Sequence, residues 1–171
     1  MKNNVILCGF MGCGKSTVGT LLAEKLNFTF VDTDKVIEQR ENMSVSEIFA
    51  VHGEEYFRTV EATVINDLCQ LNSQIIATGG GAVLNPSNAN TLRDNGTVFF
   101  LDVTPETVLE RLKHDTSRPL LQKENKETAV RELMDTRRPI YIKHSHYTIN
   151  GNQNPEGVLQ EIIEILKTKN F

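Results

Sequence analysis

Along this chain, short apolar runs alternate with segments whose apolar residues recur every three or four positions. The apolar runs predict strands over 4–8, 28–32, 74–78, 97–102 and 147–149, rich in Val, Ile and Phe. Their mostly uninterrupted apolar character suits a parallel sheet covered on both faces. Between them the period lengthens. The spacing predicts a helix over 54–71, with Phe57, Val60, Val64, Leu68 and Leu71 as its core stripe. Ser16 to Leu26 has a helical composition, and Thr104-Pro105-Glu106 reads as an N-cap followed by proline at the first helical position. A further helix opens near Asn85-Pro86, and another ends at Arg137-Arg138-Pro139-Ile140-Tyr141. The last covers about 155–168, with Val158, Leu159, Ile162 and Leu166 inward. Strand–helix alternation throughout predicts an α/β doubly wound fold in one domain, with ligands at the carboxyl ends of the strands. One stretch fits no element: His114 to Lys126 is polar and charged, and reads as a loop connection or a functional lid.

Composition narrows the partners. At 171 residues and 39% hydrophobic, the chain is long enough to bury a full core. A net charge of −4 argues against a nucleic-acid surface, so the 18 Lys and Arg matter by position. No apolar run approaches the roughly 18–20 residues of a membrane span. Met1 to Asn4 lead straight into the first strand, which predicts no signal peptide. Cys8, Cys13 and Cys69 show neither metal nor disulfide spacing. The expectation is a cytoplasmic protein with reduced thiols.

The chemistry starts where the first strand ends. Gly9, Gly14, Lys15 and Ser16 satisfy the Walker A pattern G-x-x-x-x-G-K-[ST], between a strand and a helix as that motif requires. Its backbone N–H groups and the helix dipole cradle phosphates, Lys15 reaches the β- and γ-phosphates, and the Ser16 hydroxyl can ligate Mg²⁺. Asp32-Thr33-Asp34 leaves the second strand and offers one carboxylate for Mg²⁺ through water and another for a substrate hydroxyl; capping is the alternative. Asp102 reads as a strand-end turn residue. Thr78-Gly79-Gly80-Gly81 suggests a small ligand lying on bare N–H groups, with a tight turn as the alternative. Arg58 and Glu61, three apart on one helix, read as a surface ion pair unless a ligand claims them. Arg137 and Arg138 suit a helix C-terminus, whereas Arg118 sits in the polar stretch with no apolar face to serve. Cys13, beside Lys15 at a helix N-terminus, occupies surroundings that favour thiolate.

Taken together, these segments resemble the shikimate kinase family nearly end to end. The carrying motifs are Gly9–Gly19, Asp32-Thr33-Asp34, Gly53-Glu54-Glu55-Tyr56-Phe57-Arg58 with Glu61, Thr78-Gly79-Gly80-Gly81-Ala82, Arg118-Pro119-Leu120-Leu121 and Arg137-Arg138-Pro139-Ile140-Tyr141. The resemblance implies a P-loop NTPase fold, three-layer α/β/α, with five parallel strands in order 2-3-1-4-5. It implies a monomer that uses ATP as co-substrate with Mg²⁺ to phosphorylate the 3-hydroxyl of shikimate, in the pathway to chorismate and the aromatic amino acids.

Carried over by residue, the resemblance implies that Gly12, Cys13, Gly14, Lys15, Ser16, Thr17, Arg111 and Arg118 bind ATP. Ser16 and Asp32, the latter through water, hold Mg²⁺. Asp34, Arg58, Glu61, Gly79, Gly80, Gly81 and Arg137 form the shikimate site, with Phe49 and Phe57 as apolar walls. Lys15, Asp34 and Arg118 are the implied catalytic set, with the substrate-binding region about 33–62 and the lid about 114–126. One segment departs from the family pattern: Asn150 to Pro155 keeps a proline but lacks the arginine many members carry there. Two rivals remain at this point. A P-loop kinase for another hydroxylated acid, such as gluconate, fits the arginines equally well. A guanine-nucleotide switch does not, because the chain has no Asn-Lys-x-Asp motif.

Overall fold

The computed structural model describes residues 3–113 and 125–169. Five strands, β1 (Val5–Cys8), β2 (Thr29–Asp32), β3 (Gln74–Ala77), β4 (Thr97–Asp102) and β5 (Tyr147–Asn150), form one parallel sheet in the order β2-β3-β1-β4-β5. β1 lies centrally with all four residues buried. Its side chains alternate between faces, so both need cover. Val5 and Leu7 join a cluster built with α1 (Lys15–Leu26) and α7 (Pro155–Thr168). Ile6 and Cys8 join the opposite cluster, built with α3 (Val45–Leu68) and α4 (Pro86–Asp94). The expected three-layer architecture and strand order are both present.

Local chemistry explains most element boundaries. Asp32 caps α2 (Thr33–Glu41), its carboxylate accepting from the N–H groups of Asp34 and Lys35. Ser44 and Glu47 close a capping box at the start of α3. Asn85, Thr104 and Asn154 cap α4, α5 (Pro105–Arg111) and α7, each followed by proline at the first helical position. A 3₁₀ turn at Ala82–Leu84 precedes α4.

Four expectations need correction. The helix predicted over 54–71 belongs to α3, which starts at Val45 and bends at Gly53, where φ 81° and ψ 174° are non-helical. Only glycine reaches that conformation cheaply. Leu71 is 56% exposed, because the helix ends at Leu68 and the 3.6-residue period ends with it; Cys69 takes the buried position instead. α2 was not read from the sequence at all, since its mean character is strongly polar and only Ile37 and Thr33 are buried. Finally, the segment Arg137-Arg138-Pro139-Ile140-Tyr141 lies in the last turns of its helix and not at its very end. α6 (Lys126–His144) continues through Pro139, carried by burial of Tyr141 beyond it. The polar stretch read as a lid, with Arg118, lies outside the described residues except at Asn125 and Lys126, which open α6.

The amino edge of the sheet is held by one side chain. Asn4 is fully buried; its amide donates to Leu71 O (3.0 Å) and Asn95 O (3.2 Å) and accepts from Gln74 N (3.1 Å). It ties the loops that enter β3 and β4 to the start of β1. Asn4→Ala leaves two carbonyls and an N–H without this partner and is expected to cost about 2–4 kcal/mol in urea unfolding. Because Asn4 lies at the edge opposite the strands' carboxyl ends, nucleotide affinity of the folded variant is expected to match the parent in a fluorescence titration.

Candidate active site

Every strand delivers its following loop to the carboxyl edge, where the principal cavity, about 630 Å³, runs along the phosphate loop. Its walls combine residues Met11 to Val18, Asp32 and Asp34, Thr78 to Gly80, Arg111, and the 151–155 turn. Gly14 caps α1 at φ 99°, a left-handed conformation that lets the loop turn its N–H groups inward. Lys15 Nζ donates to the carbonyls of Gly9 (2.9 Å) and Phe10 (3.0 Å) and lies 3.4 Å from Cys13 Sγ. The lysine thus rests on the loop that carries it. Cys13 is buried beneath it.

Asp32 caps a helix, the alternative that the sequence left open, and also meets Ser16. One carboxylate oxygen caps α2, and the other accepts from Ser16 Oγ at 3.3 Å. Ser16 and Asp32 form a small set of hard oxygen donors beside the phosphate loop. That set fits Mg²⁺, which commonly takes one or two protein oxygens and completes its shell with phosphates and water. Among the described residues no group of three or more His, Cys, Asp or Glu could form an all-protein metal cage.

A second cluster of polar side chains forms around the three glycines. Gly79 N–H is not bare: it donates to Thr33 Oγ1 at 3.0 Å, inside the protein. The glycines instead leave room for side chains. A Cβ on Gly79 would fall 2.5 Å from Asp34 Oδ1 and 3.3 Å from Glu61 Oε1. On Gly81 it would fall 2.6 Å from Arg58 Nη2. Asp34 and Arg58 therefore lie directly against the loop. Gly80 lies near Arg137 Nη1, 3.9 Å from where its own Cβ would be.

Arg58 and Glu61 are not the surface pair their spacing suggested. Glu61 is 1% exposed; its Oε2 accepts from Arg58 Nη1 at 2.9 Å, while its Oε1 has no hydrogen-bond partner among the described residues. Burial pushes the Glu61 carboxyl above its ordinary range despite the neighbouring guanidinium, and the nearby Asp34 charge pushes the same way. Burial also works against charge on Arg58, but Glu61 and Glu54 outweigh it and raise the arginine's pKa. The Phe57 ring centroid lies 5.2 Å from the Arg58 guanidinium and 4.7 Å from that of Phe49.

Arg111 lies beside the phosphate loop. Its Nη1 donates to Gly12 O (3.2 Å) and Nη2 to Gly151 O (2.9 Å), joining the phosphate loop to the 151–155 turn. Asn152 anchors that turn by accepting from Thr104 N (3.0 Å) and Thr107 Oγ1 (2.7 Å). Asp102 is engaged by Arg138, whose Nη2 donates to its Oδ2 at 2.6 Å, tying β4 to α6. Two residues carried no role in the sequence reading although they lie inside its motifs. Thr33 holds Gly79, and Tyr141 OH donates to Gly80 O at 2.6 Å. A buried hydroxyl between two carboxylates was the available signal for Thr33.

The shikimate kinase family model matches residues 11–167 of the chain. A shikimate kinase of Caldanaerobacter subterraneus subsp. tengcongensis is 46% identical over 161 residues, spanning 94% of each chain. Among solved structures, the shikimate kinase from Acinetobacter baumannii in complex with shikimate superposes with a TM-score of 0.92 at 39% identity, covering 99% of this chain and 95% of that one. The shikimate kinase from Aquifex aeolicus superposes at 0.86, also at 39% identity, covering 98% of both.

The raised Glu61 carboxyl has a measurable consequence. The folded state binds this proton more tightly than the unfolded chain, so the group favours folding most below the ordinary carboxyl range near about 4.3. Its contribution declines as pH rises through that range, until the folded carboxyl is also ionised. Glu61→Gln does not titrate. Its unfolding free energy relative to the parent is therefore expected to climb as pH is raised from about 4 in urea titrations; a pH-independent difference between the two proteins would contradict the assignment.

Proposed function

The chain belongs to the shikimate kinase family, and from that premise we propose how its residues divide the transfer of a phosphoryl group from ATP to the 3-hydroxyl of shikimate. The observation that carries the reading is the seating of Asp34, Arg58 and Glu61 against the triple-glycine loop, next to a phosphate-loop cavity. Shikimate is an acid with three hydroxyls. Its carboxylate calls for planar, charge-assisted donors, which Arg58 and Arg137 supply and lysine would supply less specifically. Its hydroxyls call for acceptors, and Asp34 is within the same cavity wall. Glu61 fixes the Arg58 guanidinium, with Phe49 and Phe57 beside it, and the region from about 33 to 62 forms the acceptor site.

Phosphoryl transfer depends on in-line positioning and charge neutralisation more than on covalent chemistry. Gly12, Cys13, Gly14, Ser16 and Thr17 wrap the phosphates with backbone N–H groups. Lys15 leaves the Gly9 and Phe10 carbonyls for the β- and γ-phosphates. Ser16 directly, and Asp32 through water, hold Mg²⁺, which neutralises phosphate charge when bound. Arg111 walls the nucleobase with the 151–155 turn, a role made more important by the missing arginine in that turn. Asp34 orients the acceptor hydroxyl and takes up its proton. Arg118, in the stretch about 114–126, covers the transferring group and excludes water. In this reading the enzyme works as a cytoplasmic, single-domain monomer on small molecules, without nucleic-acid or membrane partners.

A coupled ADP-release assay with ATP, Mg²⁺ and a panel of acceptors tests the substrate. ADP release is expected to depend on shikimate and not on gluconate; release without any acceptor would contradict the reading. Asp34→Asn is expected to lower turnover at saturating shikimate by about 10²–10⁴-fold, as for a lost acid–base group. Near-normal turnover would remove the base assignment while leaving the substrate in place.

A further inference from the structure

Three consecutive glycines form an intrinsically loose segment, because each loses more conformational freedom on ordering than any other residue. Yet this loop is the surface against which Asp34 and Arg58 are packed, with 2.5 and 2.6 Å of clearance for a Cβ that is not there. Something must hold it in register. Two buried hydroxyls do so from opposite sides. Thr33, 0% exposed, accepts the Gly79 N–H through Oγ1 at 3.0 Å. Tyr141, 2% exposed and stacked on Phe100 with centroids 5.0 Å apart, donates its hydroxyl to Gly80 O at 2.6 Å.

The placement of both hydroxyls in the chain carries the argument further. Thr33 immediately precedes Asp34. Tyr141 follows Arg137 by four residues on α6, hence on the same face, near enough for the guanidinium charge to act on its phenol. Burial pushes the Tyr141 phenol above its ordinary pKa, so it remains a donor across the working pH range. Each hydroxyl thus links the loop to an acceptor-binding side chain one residue or one helical turn away. Movement of the loop would displace Asp34, Arg58 and Arg137 together.

We propose that Thr33 and Tyr141 are positioning residues for the acceptor: they clamp the triple-glycine loop between α2 and α6 and thereby set the affinity for shikimate. The inference rests on the proposed reading of shikimate as acceptor. Neither residue needs to touch the reacting atoms. Their effect falls on assembly of the carboxylate and hydroxyl contacts, and not on the phosphate loop, which is held separately by Lys15 and Arg111.

Steady-state kinetics on the full chain separate this role from a merely structural one. Tyr141→Phe keeps the ring and its packing on Phe100 while removing the hydroxyl; Thr33→Val keeps the shape and removes the acceptor. Both are expected to raise KM for shikimate about three- to tenfold, as for one lost hydrogen bond each, with KM for ATP unmoved. Thr33→Ser, which restores the oxygen, is expected to return KM for shikimate to the parent value. An unchanged KM for shikimate in folded variants, whatever happens to Tm, overturns the proposal, as does an equal rise in both KM values. Should Thr33→Val fail to fold, Tyr141→Phe decides alone. Parent protein that releases ADP without regard to shikimate overturns the functional reading itself and this inference with it, an outcome distinct from a variant-specific failure.

Discussion

All five strands run the same way, and that single constraint gathers the chemistry. In a parallel sheet every strand-to-helix loop opens on one edge, so residues far apart in the chain meet there without any long-range loop. β1, buried along its whole length, presents the phosphate loop from the centre of the sheet. β3 beside it presents the three glycines, and β2 beyond presents Asp32 and Asp34. Neighbouring strands lie about 4.8 Å apart, so the phosphate loop stands about one strand spacing from the glycines and about two from the Asp32–Asp34 turn.

Within this frame several charged groups of the site are held in place by neighbours before any ligand arrives. Glu61 inside the protein would be costly alone, and Arg58 offsets that cost with a direct 2.9 Å contact. The offset is incomplete, which is why the Glu61 carboxyl stays above its ordinary range. Lys15 is held by backbone carbonyls and Asp32 by N–H groups and a hydroxyl. Such partners orient the charged groups without neutralising them, leaving charge available for a triphosphate and a carboxylate. Prepaid orientation of this kind is the main protein contribution to phosphoryl transfer.

Much of the fold and half of the site are legible in the residues alone. The five strands could be read from apolar runs because a sheet covered on both faces needs them at every position. The phosphate loop could be read because its glycines, lysine and serine each answer one requirement of phosphate binding. α2 escaped notice because it is polar on most of its surface, so its period is faint. α6 runs on past Tyr141 to His144 and keeps Pro139 inside it, a residue that costs a helix a hydrogen bond, with Tyr141 buried beyond it. Local preference is a weak prior when a large aromatic ring has a core to fill.

The amino-acid sequence by itself determined the class of fold, the triphosphate site and the residue types available for an acidic, hydroxylated acceptor, since these follow from short-range pattern and composition of motifs. It could not decide which face Glu61 occupies, because a three-residue helical spacing describes an exposed ion pair and a buried one equally well. Nor could it say what the three glycines make room for. Only the packing of α2, α3 and α6 against the sheet edge answered that, by bringing Asp34, Arg58 and Arg137 beside one loop and bonding Thr33 and Tyr141 to its Gly79 and Gly80. Close approach between distant segments depends on how whole elements pack, and no local pattern encodes that distance.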